Sequence, residues 1–185
     1  LGLAQIEDIA ASINGFLIVD EAYFEFSGET ALPLIASAGN IIIIRTFSKA
    51  FSLAGLRLGY LLGPPAIVRE LDKARLPFSV GIFQQAAGEV LLNDPQWIRR
   101  RAAEVIEERQ RMAEDLGALK GIRTYPSSTN FILFDSTAVP AGKLWKALYD
   151  EGIIIRKFDS PDLENSLRAT VGTKEENVVF LRRLK

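Results

Sequence analysis

In the stretch RTFSKAFSLAGLRLGY, residues 45 to 60, a lysine, Lys49, stands just beyond the run IIII and is followed by small residues and an arginine. A primary amine at the mouth of an apolar strand is partly withdrawn from water. That disfavours its charged form and brings the neutral, nucleophilic amine within reach near neutral pH. Imine formation with an aldehyde needs an amine in that state. A single lysine at a strand end is ordinarily a solvated edge residue, so its neighbours must carry the argument.

Asp20 closes an earlier apolar run, FLIVD (16–20). An acid at the same sheet edge could hold a cationic ring nitrogen protonated, although alone it would read as a cap or turn residue. Tyr23 could donate to a phenolic oxygen, or simply pack with its hydroxyl in water. Ser48 and Arg57 bracket the lysine and could grip a phosphate, Arg57 through its planar fork. Alone, Arg57 would be a surface ion-pair partner. An amine, an acid for a pyridinium nitrogen, a phenol and a phosphate clamp are together the parts of a pyridoxal 5'-phosphate (PLP) site.

The elements must bring these groups to one edge. FLIVD and IIIIRTF (41–47) are continuous β-branched runs, the pattern of strands buried on both faces of a parallel sheet. A right-handed crossover would set their carboxyl ends, with Asp20 and Lys49, at one crevice. LRLGYLLG (56–63) follows after a short turn that suits an antiparallel neighbour. Helices are expected over LGLAQIEDIAASING at the start, from Pro65 until before Pro77, over IFQQAAGEVLLND, and from Gln96 to about Leu116 behind an Asp94–Pro95 cap. After Gly121 the order reads β-β-α-β-β-α: IRTYP, NFILFD, PAGKLWKALYDEG, IIIR, LRATV, and a last helix opened by a Thr173/Glu176 capping box. Arg156 and Arg168 stand in the last two of these strands, where an unpaired guanidinium is costly and an anionic partner is expected.

Composition narrows the chemistry. Lys+Arg of 22 against Asp+Glu of 23 leaves a net charge of -1, so no overall field draws nucleic acid or a membrane surface. Cysteine and histidine are both missing, which removes thiolates, imidazole bases and the usual transition-metal ligands. Acid–base work falls to Lys, Asp, Glu or Tyr, and no metal is expected. No apolar run approaches the roughly 20 residues of a membrane span, and the cytoplasm is the expected compartment.

VDEAYFEF (19–26) followed by RTFSKAFSLAGLRLGY resembles the fold-type I, class II aminotransferases, and most closely the histidinol-phosphate aminotransferases. PFSVGIFQQAA, TNFIL, GIIIR and LRATVGTKEEN resemble that family's segments in the same order. The resemblance implies an α/β fold: the end of a mostly parallel PLP-binding sheet with flanking helices (1–76), linking helices (77–118) and a small α+β C-terminal domain (119–185). It implies that Lys49 carries the cofactor as an imine, that Asp20 pairs with the pyridine nitrogen, and that Tyr23 donates to the phenolic oxygen. Ser48 and Arg57 would bind the phosphate. On the substrate side it implies Arg168 for the carboxylate, Arg156 near the distal phosphate of histidinol phosphate, and Asn130 along the wall. The partners implied are a small-molecule amino donor, a 2-oxo acid and a second copy of the chain in a homodimer.

Two departures stand out. Ser52 occupies a position where such motifs more often have Gly, and the family's N-terminal half, which supplies further cofactor contacts, has no counterpart in these residues. The sequence is therefore read as the C-terminal part of a longer enzyme. A related PLP enzyme, such as an aromatic aminotransferase or a threonine-phosphate decarboxylase, and a catalytically inert fragment both stay open. Strand faces and edges left without those earlier strands are expected to be exposed.

Overall fold

A computed structural model of the chain describes residues 1–184. The chain divides into two compact units, the first ending at Arg100 and the second beginning at Arg101. The division falls inside the long helix, within the segment 77–118 read as linking helices.

The first unit is built on a three-stranded sheet in the order β1-β2-β3. Strand β1 (Leu17–Asp20) runs parallel to β2 (Ile41–Thr46), in register from Leu17↔Ile41 to Asp20↔Ile44. Strand β3 (Gly59–Leu62) returns antiparallel, from Ile43↔Leu62 to Thr46↔Gly59. Alternation along the strands puts Leu17, Val19, Ile41, Ile43 and Leu62 on one face. There they pack on Ile6 and Ala10 of helix α1 (Leu3–Ser12) and on Ala31 and Leu34 of the crossover. The crossover contains two one-turn helices, α2 (Phe24–Ser27) and α3 (Ile35–Ala38).

The opposite face differs from the expectation of burial on both sides. Ile42 is buried, but Ile18 is 61% exposed and Ile44 and Leu61 are exposed at their rims. Helix α4 (Pro65–Lys73) starts at a proline as expected, and its Val68 flanks Gly63, as Ile42 of β2 does. Helix α5 (Ile82–Leu92) sets Gly88 against Leu58 and Phe47 so closely that an added Cβ would stand 2.9 Å from Leu58 Cδ2.

Helix α6 (Pro95–Gly117) opens with Asp94 accepting a 3.0 Å hydrogen bond from the Trp97 amide, the expected cap. Glu107 and Arg111 pair at 3.3 Å on its surface. In the second unit β4 (Ile122–Thr124), β5 (Phe131–Ser136), β6 (Arg156–Lys157) and β7 (Ser166–Thr170) form an antiparallel sheet in the order β4-β5-β7-β6. Helix α7 (Ala141–Asp150) and helix α8 (Lys174–Leu184) complete it. Met112 and Leu116 of α6, Leu148 of α7 and Phe180 of α8 close over Ile132, Phe134 and Leu167. The capping box at α8 is present: Thr173 N donates to Glu176 Oε2 at 2.8 Å, and Glu176 N donates to Thr173 Oγ1 at 3.3 Å.

The run read as the strand IIIR shrinks to Arg156–Lys157. Gly152 turns with φ +80°, Ile153 N donates back to Leu148 O, and Ile155 O accepts from the Trp145 indole at 3.0 Å. Ile153 N and Ile155 O are thereby spent on α7 rather than on a ladder.

One buried acid ties this sheet together. Asp135 on β5 accepts from Ser166 Oγ at 2.6 Å, from Tyr125 OH at 2.7 Å and from Arg123. Burial pushes its pKa up, but the hydrogen bonds from Ser166, Tyr125 and Arg123, with the attraction of Arg123, outweigh burial and hold the carboxyl below the usual range.

Candidate active site

The loop that carries Lys49 is held from both ends. Phe47 N donates to Leu58 O, Leu53 N to Phe47 O and Ser52 N to Lys49 O, each at 3.0 Å. Ser48 N is capped by Thr46 Oγ1 at 3.0 Å. Buried Phe47, Ala50 and Phe51 anchor the loop from beneath, with the Phe47 and Phe51 rings 4.7 Å apart. Two residues on it have left-handed backbone, Ser52 at φ +58° and Arg57 at φ +53°. Ser52 explains the glycine preference at that point, since only glycine enters this region without a Cβ conflict.

Lys49 stands beyond the end of β2, in the turn, and is exposed. The partial burial expected of a strand-mouth lysine is therefore not found in this chain: the ladder ends with Phe47 bonded to Leu58, and the next residues turn outward. Its Nζ lies 5.6 Å from the centroid of the Tyr23 ring, so the amine and the phenol come together. Ser48 and Arg57 also meet: the guanidinium donates to Ser48 Oγ at 3.4 Å and to Ala54 O at 2.8 Å. A hydroxyl and a guanidinium fork side by side form a donor set suited to a phosphate.

Asp20 is exposed at the end of β1, in register with Ile44. Its Oδ1 accepts from Ala22 N at 3.0 Å, the bond of a turn residue, which leaves Oδ2 for another donor. The donor set therefore fits an aromatic aldehyde that bears a phosphate, a phenolic oxygen and a cationic ring nitrogen. An open groove of about 840 Å³ along α1 and β1 takes in Asp20 and Tyr23 but not Lys49. It follows the outer edge of β1, the end strand of the sheet, and we read it as that open edge rather than as a ligand cavity.

In the second unit, Arg168 on β7 is partly buried. Its Nε is buried without a hydrogen-bond partner, and its guanidinium lies 4.7 Å from the Phe131 ring centroid. An unsatisfied buried donor on a cation is costly, so this residue retains the demand for an anion that its strand setting suggested. Arg156 does not: it is exposed and lies 6.0 Å from the Phe158 ring, and water can solvate it. Asn130, partly exposed, precedes β5, and its carbonyl accepts from Val171 N at 2.9 Å. Arg109 of α6 braces the turn before it by donating to Thr129 O at 2.7 Å; burial lowers the Arg109 pKa.

The sequence reading passed over a buried network beside Asp20. Glu21, 7% exposed, accepts from Arg45 Nε at 3.0 Å and NH2 at 2.8 Å, from Thr30 Oγ1 at 3.0 Å and from Ala31 N at 2.6 Å. Arg45 also donates to Thr30 Oγ1 at 2.8 Å and covers the Phe24 ring at 3.7 Å. The available signal was a charge of each sign at the ends of two apolar runs, Glu21 after FLIVD and Arg45 after IIII. No group of metal-ligating side chains occurs among the described residues.

Comparison with known proteins settles the family. Residues 1–184 match the family model "Aminotransferase class I and II". The chain belongs to that family. It is 43% identical over 184 residues to histidinol-phosphate aminotransferase 1 of Carboxydothermus hydrogenoformans, an alignment covering 98% of this chain and 52% of that protein. The histidinol-phosphate aminotransferase from Clostridium acetobutylicum superposes with TM-score 0.89 at 27% identity, over 99% of this chain and 57% of the other. The enzyme of the same name from Sinorhizobium meliloti, solved in complex with pyridoxal-5'-phosphate, gives TM-score 0.86 at 29% identity, over 100% and 52%. The chain thus spans about half the length of the relatives it matches.

Proposed function

We propose that this chain is part of a PLP-dependent transaminase that exchanges the amino group between histidinol phosphate and 2-oxoglutarate in histidine biosynthesis. The observation that carries the reading is the turn after β2, where the Lys49 amine lies 5.6 Å from the Tyr23 ring and Arg57 meets Ser48 at 3.4 Å, a donor pair suited to a phosphate. The 43% identity to a histidinol-phosphate aminotransferase supports the choice of substrate.

In this reading Lys49 holds the cofactor aldehyde, and Ser48 and Arg57 bind its phosphate. Asp20 keeps the ring nitrogen protonated, and Tyr23 donates to the phenolic oxygen. Once bound, PLP supplies an electron sink for the carbanion formed at the substrate Cα. The Lys49 amine would be the base that holds and moves the proton at the substrate Cα. Arg168 takes the substrate carboxylate, a role supported by its unpartnered buried Nε. Arg156 is assigned to the distal phosphate and Asn130 to the substrate wall by resemblance alone. Residues 1–76 would belong to the cofactor-binding domain, 77–118 to the linking helices and 119–185 to the small domain of a cytoplasmic homodimer.

The test is amino transfer from histidinol phosphate to 2-oxoglutarate by the complete protein, run beside aromatic amino acids and threonine phosphate as alternative substrates. The expected result is turnover with histidinol phosphate that Lys49→Ala abolishes. A Lys49→Ala variant with normal turnover, or preference for another donor, would overturn it.

A further inference from the structure

Asp20 and Tyr23 flank a tight turn at the end of β1, where Phe24 N donates to Glu21 O at 3.0 Å. The Asp20 side chain accepts from Ala22 N within that turn, and α2, which begins after Tyr23, is one turn long. Short segments of this kind keep a single conformation only where tertiary contacts tie them down. In this chain one such tie is on the other side of the backbone.

Glu21 N donates to Ile44 O at 2.9 Å, so the strand ladder continues one residue past Asp20. Successive side chains on a strand point to opposite faces. Glu21 therefore turns away from Asp20, to the face that carries Arg45. There its two carboxylate oxygens receive Ala31 N on Oε1, and Thr30 Oγ1 with the Arg45 Nε and NH2 on Oε2. The bonds to Thr30 and Ala31 close residues 21–31 into a loop at its base. The Arg45 guanidinium, lying on the Phe24 ring, presses on the residue next to Tyr23. Neither Glu21, Arg45 nor Thr30 belongs to the donor set around Lys49.

Resting on the PLP reading above, we infer that Glu21, clamped by Arg45 and Thr30, is a positioning residue that sets the turn bearing Asp20 and Tyr23 for the cofactor. A clamped carboxylate suits this work because each of its donors constrains direction as well as distance. Thr30 Oγ1 is the joint of the clamp: it donates to Glu21 and accepts from Arg45.

The experiment compares the complete protein with Thr30→Val, which removes the hydroxyl at nearly constant shape, and Thr30→Ser, which restores it. Arg45→Lys serves as a second variant that keeps the charge but loses the two-pronged contact. Far-ultraviolet circular dichroism of each apoprotein checks folding. PLP titration then gives the dissociation constant, and the visible circular dichroism at saturation, per bound cofactor, reports the asymmetry of its surroundings. For Thr30→Val the expected results are a dissociation constant weakened about five- to tenfold, the size of one ordinary hydrogen bond transmitted to the cofactor, and an altered visible band. Arg45→Lys should change in the same direction, and Thr30→Ser should return to the parent values.

A Thr30→Val protein that binds less cofactor but keeps the parent band per bound cofactor would show a merely structural clamp and overturn the inference. So would unchanged affinity and band in both Thr30→Val and Arg45→Lys. If the parent protein itself develops no visible band with PLP, the cofactor reading fails and the inference falls with it.

Discussion

Replacing Asp135 by Asn should loosen the second unit without touching the residues around Lys49. Asp135 is 7% exposed and receives Ser166 Oγ on Oδ1, with Tyr125 OH and Arg123 on Oδ2. An amide can keep one acceptor but presents N–H groups where the second oxygen stood, so one hydroxyl donor is lost whichever way it turns. A hydrogen bond to a charged acceptor is worth about 1.5–3 kcal/mol. Arg123 adds nothing to this figure because its side chain is 65% exposed and screened by water. The assay is urea unfolding followed by Trp145 fluorescence in a Trp97→Phe background, since the chain has two tryptophans and Trp145 lies on α7 of this unit. With a urea slope of about 1–3 kcal/mol per M, the midpoint should fall by roughly 1 M. The pH dependence has a definite sign. The folded carboxyl titrates below its unfolded value, so its contribution is present above about pH 4 and is lost as pH falls through the folded value. The gap between parent and variant should therefore be full at neutral pH and shrink below about pH 4. An unchanged midpoint at pH 7, or a gap that persists undiminished in acid, would refute the reasoning.

Ser52→Gly should be neutral or stabilise the first unit by up to about 1 kcal/mol, because relief of the left-handed strain is partly offset by the freer unfolded chain; a drop in thermal midpoint would contradict this. Gly59→Ala should destabilise by about 1–3 kcal/mol, the usual cost of overpacking, since the new Cβ would stand 2.9 Å from the Arg45 carbonyl, which is backbone and cannot swing aside. Chemical denaturation measures it, and a neutral outcome would mean that β3 shifts freely. Arg168→Lys should raise KM for the amino donor far more than it lowers stability, because Lys cannot reproduce a two-pronged carboxylate contact. A KM unchanged in steady-state assays would remove Arg168 from substrate recognition.

The strands were legible because their β-branched runs are unambiguous: FLIVD and IIIIRTF became β1 and β2 in parallel, and the short connection to β3 gave the antiparallel return. Caps at Asp94 and Thr173 were also legible, being local patterns of three or four residues. Long-range pairing was not. Glu21 and Arg45 are far apart in sequence, and nothing in either run states that they meet. The run GIIIR misled because apolar, β-branched residues predict a strand regardless of where the backbone bonds go; here the Trp145 indole takes one of the carbonyls. Lys49 was expected to be partly buried because of the four isoleucines before it. The ladder stops at Phe47, and the turn carries the amine into the open.

The most direct test of the central claim is to incubate the complete protein with PLP, reduce with borohydride, and map the peptides by mass spectrometry. The account expects one phosphopyridoxyl group per chain, on Lys49, and none in Lys49→Ala. Modification spread over surface lysines such as Lys73 and Lys174, or no modification of the parent protein, would contradict it.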